Sequence, residues 1–373
     1  MQNLDDLTPV AVNMESYLSR CLRAVEGMAR ECGLDPKGEA ARFQACMEQL
    51  QQPYGEESEA ANLLEQVQRQ VMGTLPNIVE FVLTFSHGTF QGLGYLTQGR
   101  AWSTLPKSLS ALLANTFRLY LNNGGTQENA LLLADLFALS FPRLDALESH
   151  AAMAQGMLVG MAPREEGLGF KVYFNTRLGV GAPHRERVSG MLERLGVDGM
   201  EFYERLYGEG SGASFCGVGV DLFQEQPPRV KLYVRMDRAR VVGELPRVLV
   251  GMAEEELHQA QEACGQFFGA LEDSLLADEV ELAIGLVEGR SPTLKFTAFF
   301  VSGEGDLSGD IGAKIGAYLD RVGYDRGVFD RTVAEMIRGV ESASVERHPW
   351  HGVGLEIPVG EVPKVNVYLR PIV

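Results

Sequence analysis

The chain has 373 residues, 45% of them hydrophobic, with 50 acidic against 33 basic side chains and a formal charge of −17. That much apolar material supports a large core, and the acidic excess excludes a nucleic-acid binder, which needs a basic face. An anionic small ligand stays open, because a few placed lysines and arginines set a local field opposite to the global one.

The start, Met1-Gln2-Asn3-Leu4-Asp5-Asp6, has acid where a secretory leader has positive charge and then an apolar run. No apolar run approaches the ~18 residues of a membrane span. The five cysteines, Cys21, Cys32, Cys46, Cys216 and Cys264, are odd in number and lack paired spacing, so reduced, buried thiols are expected. These features predict a soluble, cytoplasmic protein with no membrane partner.

Residues 10–50 and 57–73 read as helices, with Leu18, Cys21, Leu22, Val25 and Met28 on one face and a break at Pro53-Tyr54-Gly55. The period then changes to that of strands. Ile78 to Phe85 and Gln91 to Gln98 form a predicted pair joined through His87-Gly88, followed by helix from about Leu105 to Leu147 with an interruption at Asn122-Asn123-Gly124-Gly125. Ala152 to Met161 and Gly169 to Thr176 are a second pair, then helix from about His184 to Leu206. Ala213 to Leu222 and Arg229 to Arg235 are a third, then helix from about Glu244 to Leu271. Val280 to Val287 and Thr293 to Val301 are a fourth, then helices near 308–321 and 328–341. Gly352 to Ile357 and Lys364 to Arg370 are the fifth.

Strands joined by short turns are antiparallel, so this α/β (α+β type) chain is neither a doubly wound sheet nor a parallel barrel. Ten such strands can close into an antiparallel β-barrel of repeated ββα units with helices outside and a chamber within. An open sheet with one helical face is the alternative. Residues 1–74 are read as a helical extension packed on residues 75–373, within one domain spanning 1–373.

The second strand of each later pair repeats one polar pattern. Lys171, Tyr173 and Asn175 share a face; so do Arg229, Lys231, Tyr233 and Arg235; so do Lys295 and Thr297; and so do Lys364, Asn366, Tyr368 and Arg370. On one strand this would be an ordinary solvated face. Repeated on four, it predicts cations converging in a chamber, where repulsion and desolvation oppose them unless an anion is present. A diphosphate suits such a site, since Lys and Arg bonds to phosphate are charge-assisted. Neighbouring tyrosine faces stabilise a carbocation.

Phe170-Lys171-Val172-Tyr173-Phe174, Arg229-Val230-Lys231-Leu232-Tyr233 and Val365-Asn366-Val367-Tyr368-Leu369 resemble strands of the ABBA (PT-barrel) aromatic prenyltransferases, in particular the dimethylallyltryptophan-synthase-like branch. The resemblance runs from about residue 75 to the C-terminus. It implies diphosphate binding by Lys171, Arg229 and Lys231, with Lys295 and Lys364 as weaker matches, and cation shielding by Tyr173, Tyr233 and Tyr368. Val79-Glu80-Phe81-Val82-Leu83 is similar to the family segment whose glutamate takes the indole N–H, which gives Glu80 the catalytic, acceptor-orienting role. The implied reaction transfers a dimethylallyl or longer prenyl group from its diphosphate to an indole such as tryptophan or a tryptophan-derived metabolite, with no cofactor or metal required. The implied partners are these two small molecules, for a monomer or homodimer.

Two departures from the family stand out. The strand after Glu80 lacks the usual arginine and offers Gln91, Leu93, Tyr95 and Thr97, which leaves Arg100 as the candidate diphosphate ligand there. The strand Met153-Ala154-Gln155-Gly156-Met157-Leu158 lacks the lysine that serves fungal members as base. Other signals are weaker. Gly208-Glu209-Gly210-Ser211-Gly212 precedes a strand, so it is no helix-start anion site. His348-Pro349-Trp350-His351 reads as a surface turn rather than a metal pair, and Met153, Met157 and Met161 read as barrel wall or adaptable acceptor lining. No Asp-rich, magnesium-holding cluster is present. A phenol or peptide acceptor, or a non-catalytic barrel that binds an anionic small ligand, remain the alternative readings.

Overall fold

A computed structural model describes residues 14–50, 79–98, 105–143, 156–164, 167–178, 181–207, 214–223, 226–237, 241, 254–271, 279–287, 292–300, 308–340, 350–357 and 363–369. Two helices come first, α1 (Met14–Glu31) and α2 (Pro36–Leu50). The first hairpin, β1 (Val79–Ser86) and β2 (Thr89–Gln98), is followed by α3 (Leu105–Asn122) and α4 (Gln127–Ser140). The second, β3 (Met157–Arg164) and β4 (Gly167–Phe174), precedes α5 (His184–Arg194) and α6 (Met200–Tyr207). The third is β5 (Ser214–Phe223) and β6 (Gln226–Asp237), then α7 (Glu254–Leu271). The fourth is β7 (Glu279–Leu286) and β8 (Thr293–Phe299), then α8 (Ser308–Arg321) and α9 (Arg326–Val340). The last is β9 (Trp350–Ile357) and β10 (Lys364–Leu369).

The strands form one closed barrel in the order β1-β10-β9-β8-β7-β6-β5-β4-β3-β2. Every pairing is antiparallel, and β1 closes on β10 with Phe81 opposite Leu369 and Thr84 opposite Asn366. That closure decides between the barrel and the open sheet. The turn between β1 and β2 has His87 at φ 51° and Gly88 at φ 76°, the positive pair that matches the right-handed twist of a tight hairpin.

Alternation sends each strand's apolar side chains outward and its polar ones inward. Val230, Leu232 and Val234 of β6 are fully buried, as are Val365, Val367 and Leu369 of β10. The hydrophobic core is therefore a sleeve between barrel and helices. Aromatic contacts join the two layers: Phe170 meets Tyr120 of α3 at 5.2 Å, Phe296 meets Phe268 of α7 at 6.4 Å, and Tyr95 meets Phe43 of α2 at 5.0 Å. The N-terminal helices belong to the same sleeve. Tyr95 donates to Glu39 of α2, itself held by Arg42, while Arg331 of α9 pairs with Glu31 of α1.

Several boundaries differ from the sequence expectation. The run read as one helix over 10–50 breaks at Gly33 (φ 71°) ahead of Pro36, and the run over 184–206 breaks at Gly196 (φ 66°). Strand β3 runs from Met157, and the expected start at Ala152 lies outside the described residues. The expected helix 57–73 lies outside the described residues.

Candidate active site

The even strands all enter the barrel at one rim, because neighbours are antiparallel and connect in sequence. On β4, β6 and β10 the cation comes first and the tyrosine two or four residues later. Lys171 precedes Tyr173, Arg229 and Lys231 precede Tyr233, and Lys364 precedes Tyr368. On β8, Lys295 precedes Thr297. Cations thus gather toward the entry rim, and tyrosines lie deeper. Tyr173 and Tyr233 meet edge to face at 5.6 Å, and the Lys295 ammonium donates to the Tyr368 hydroxyl.

Room for these long side chains comes from glycines on the intervening strands. A β-carbon on Gly219 of β5 would sit 2.8 Å from Tyr233 Cε2 and 3.1 Å from Tyr173 Cδ1. One on Gly354 of β9 would sit 2.8 Å from Lys295 Cε and 3.3 Å from Tyr368 Cε2. The glycines are cradles for the cation and tyrosine side chains.

The same strands carry two acids that the sequence reading overlooked. Asp221 and Glu356 are 1% and 8% exposed. Arg229 donates from Nε to Asp221 at 2.8 Å and from Nη1 to Glu356 at 2.8 Å. Lys231 Nζ lies 3.5 Å from Asp221 and 4.0 Å from Glu356, and Lys364 Nζ lies 4.0 Å from Glu356. Lys171 and Lys295 have no carboxylate within 4.0 Å among the described residues. The expectation that only a bound anion offsets the cations is therefore corrected, because the chain supplies two carboxylates itself. A signal for them exists: Gly217-Val218-Gly219-Val220-Asp221 and Gly352-Val353-Gly354-Leu355-Glu356 repeat one spacing, with glycines and acid on the inward face.

Titration follows this geometry. Burial alone would raise Asp221 and Glu356, but the surrounding lysines and Arg229 outweigh it and hold both well below the usual carboxylate range. Burial lowers Lys171, Lys231 and Lys295, and it brings Lys364 down to about 8 against the pull of Glu356. Burial raises Tyr173, Tyr233 and Tyr368, so the phenols stay neutral.

Glu80 enters on β1 from the opposite rim. It is partly buried and hydrogen-bonds His351 Nδ1 of β9, past the intervening β10. His351 stands on β9, correcting its reading as part of a surface turn. Trp350 stacks on Phe329 in the sleeve, and the His351 ring packs 5.1 Å from Phe299. Beside them Arg235 lies over Phe299 at 5.3 Å and 3.9 Å from Glu281. One further assignment changes. Leu93 and Tyr95 face the sleeve, so the inward positions of β2 are Gly92, Gly94 and Leu96, with no cation there. Met157 and Met161 are barrel wall facing the sleeve, as the first of their two readings expects, whereas Leu158 and Gly160 point inward. Arg100 and Met153 lie outside the described residues. Among the described residues no group of three or more His, Cys, Asp or Glu is placed to hold a metal ion, and no helix is long and apolar enough to cross a membrane.

No protein-family model matches the sequence, and no curated protein matches it significantly. Solved structures do. The chain is similar to 5-dimethylallyltryptophan synthase from Streptomyces coelicolor, with a TM-score of 0.70 at 18% identity over 95% of this chain and 97% of that one. It is similar to 6-dimethylallyltryptophan synthase from Micromonospora olivasterospora, solved in complex with DMASPP and Trp, with a TM-score of 0.68 at 20% identity over 95% and 97%. It is also similar to AnaPT from Neosartorya fischeri, with a TM-score of 0.69 at 13% identity over 97% and 94%. The fold is the PT barrel of the ABBA-type aromatic prenyltransferases.

Proposed function

We propose that this protein transfers a prenyl group from an isoprenoid diphosphate to the ring of an aromatic small molecule, an indole such as tryptophan or a tryptophan-derived metabolite being the acceptor. One observation carries the reading. Cations gather toward one rim, tyrosines stand beside and beyond them, and a carboxylate enters from the other rim. The complex of a neighbour of the same fold with DMASPP and Trp supports it.

In this reading Lys171, Lys231, Lys295 and Lys364 hold the diphosphate and stabilise the charge that develops as the C–O bond breaks, work done by preorganised charge in a water-poor site. Metal is not required. Tyr173, Tyr233 and Tyr368 face the allylic cation and exclude water from it. Glu80 accepts a hydrogen bond from the ring N–H and orients the ring for attack. A ring carbon bonds the prenyl carbon, and the ring regains aromaticity by losing a proton. The products are the prenylated ring, diphosphate and that proton.

The test supplies dimethylallyl, geranyl and farnesyl diphosphates with pooled aromatic acceptors, and follows both diphosphate release and the mass of the acceptor. An acceptor gaining one prenyl group per diphosphate released is expected. Binding of the diphosphates with no transfer to any acceptor would make the barrel a binding protein and overturn the proposal.

A further inference from the structure

We propose that Asp221 and Glu356 set the charge of the donor site, so that diphosphate is held for transfer and still released afterwards. The inference rests on the donor-site reading above and assigns these two acids to release. Five cationic side chains, Lys171, Arg229, Lys231, Lys295 and Lys364, face two carboxylates, an excess of three positive charges when all are ionised. A fully ionised prenyl diphosphate is a trianion. Donor and site therefore match in charge only with both acids in place.

The contacts divide the cations into three kinds. Arg229 is clamped, with Nε and Nη2 on Asp221 and Nη1 on Glu356. Lys231 and Lys364 are shared, at 3.5–4.0 Å from the acids. Lys171 and Lys295 have no carboxylate that near among the described residues, and are the two cations the acids offset least. Both acids reach the cluster from strands of the same Gly-Val-Gly-x-acid spacing, on either side of Arg229. A purely structural brace is expected to have its buried oxygens satisfied. Asp221 Oδ1 is buried and meets no hydrogen-bond donor among the described residues, which suits a group that acts through its charge.

The physical need follows from turnover. An interaction equally strong with substrate, transition state and product does not raise the rate of the chemical step. Five uncompensated cations would grip the released diphosphate as firmly as the donor. Carboxylates that compete for Lys231 and Lys364 weaken that grip throughout, and the loss falls on product release. Asp221 and Glu356 are thus positioning and charge-setting residues, and touch neither reacting carbon.

The experiment titrates inorganic diphosphate into the full-length wild type, Glu356→Gln and Asp221→Asn by calorimetry, and compares single-turnover with steady-state transfer. Glu356→Gln keeps an amide oxygen for Arg229. Each acid lies within 4.0 Å of Arg229 and Lys231, and removing its charge should tighten inorganic diphosphate by about tenfold in each variant. Steady-state kcat should fall through stronger product inhibition while the single-turnover rate holds, a split that loss of packing alone would not produce. Equal or weaker diphosphate binding in the variants, or failure of both to fold, would make the acids a structural bracket and overturn the inference. A wild type that binds no diphosphate would instead remove the donor-site reading beneath it.

Discussion

Lys364 shows what burial does to a cation of the proposed anion site. Burial brings it down to about 8 although Glu356 opposes the shift. A bound diphosphate favours the charged lysine and must raise that value, so binding takes up a proton as pH approaches and passes about 8. Affinity for inorganic diphosphate is therefore expected to begin falling near that value. Above it, affinity should fall by up to about tenfold per pH unit for each proton taken up. Calorimetry in buffers of different ionisation enthalpy reads the uptake directly, and tight, proton-neutral binding at alkaline pH would show that the lysines face elsewhere. At the other rim, Glu80→Ala should lower transfer to an indole by roughly 10–100-fold, the loss of a charge-assisted bond worth ~1.5–3 kcal/mol, while diphosphate affinity stays. Glu80→Gln should be intermediate. His351→Phe retains a ring against Phe299 but not the bond to Glu80, and should raise the acceptor KM more than it changes kcat. Unaltered indole kinetics in Glu80→Ala would remove Glu80 from the site.

Among the elements, strands alternate in what they contribute inward: β4, β6, β8 and β10 supply long polar side chains, and β5 and β9 supply glycines and one acid each. The pairing is steric. Gly354→Val would place a β-carbon 2.8 Å from Lys295 Cε and 3.3 Å from both Thr297 Oγ1 and Tyr368 Cε2, and overpacking of this kind costs ~1–3 kcal/mol. The outer face of β9 is untouched, so the barrel should still form, with Lys295 and Tyr368 displaced. The expected outcome is a near-native circular dichroism spectrum with diphosphate affinity down by about tenfold; unchanged affinity would mean the cradle is not part of the donor site. The polar pattern of the even strands was readable because it is periodic and made of distinctive residues. The glycine pattern, equally periodic, was harder to read, since glycine in a strand more often signals a bulge or a weak strand than space for a neighbour. Helix breaks at Gly33 and Gly196 leave little mark in the sequence for a related reason: the helices on both sides bury apolar faces in the same sleeve, so the periodicity continues across the break.

At the scale of the molecule, an acidic protein encloses a cationic chamber. Its surplus of acid is spread over the rest of the chain, and a local field of opposite sign is held by a handful of residues. If Lys171, Lys231, Lys295 and Lys364 do the work that a metal does elsewhere, transfer should persist at full rate in excess EDTA. Abolition by chelation and rescue by magnesium would refute that division of labour. Cys32, Cys46 and Cys264 take no part in it. Burial pushes the Cys32 and Cys46 thiols up to about 11 and Cys264 up to about 12, which keeps them protonated and unreactive at neutral pH.

By itself the sequence determined the five hairpins, their antiparallel sense and the inward face of β4, β6, β8 and β10, because side-chain period and turn length are local properties of the chain. Only the tertiary structure decided what meets across the chamber. Closure of β1 on β10 brings Glu80 to His351, 271 residues apart, and the closed barrel brings Asp221 of β5 and Glu356 of β9, three strands from β6, onto the two sides of one guanidinium. Such pairings depend on barrel register and shear, which sum over all ten strands and leave no mark in any one of them.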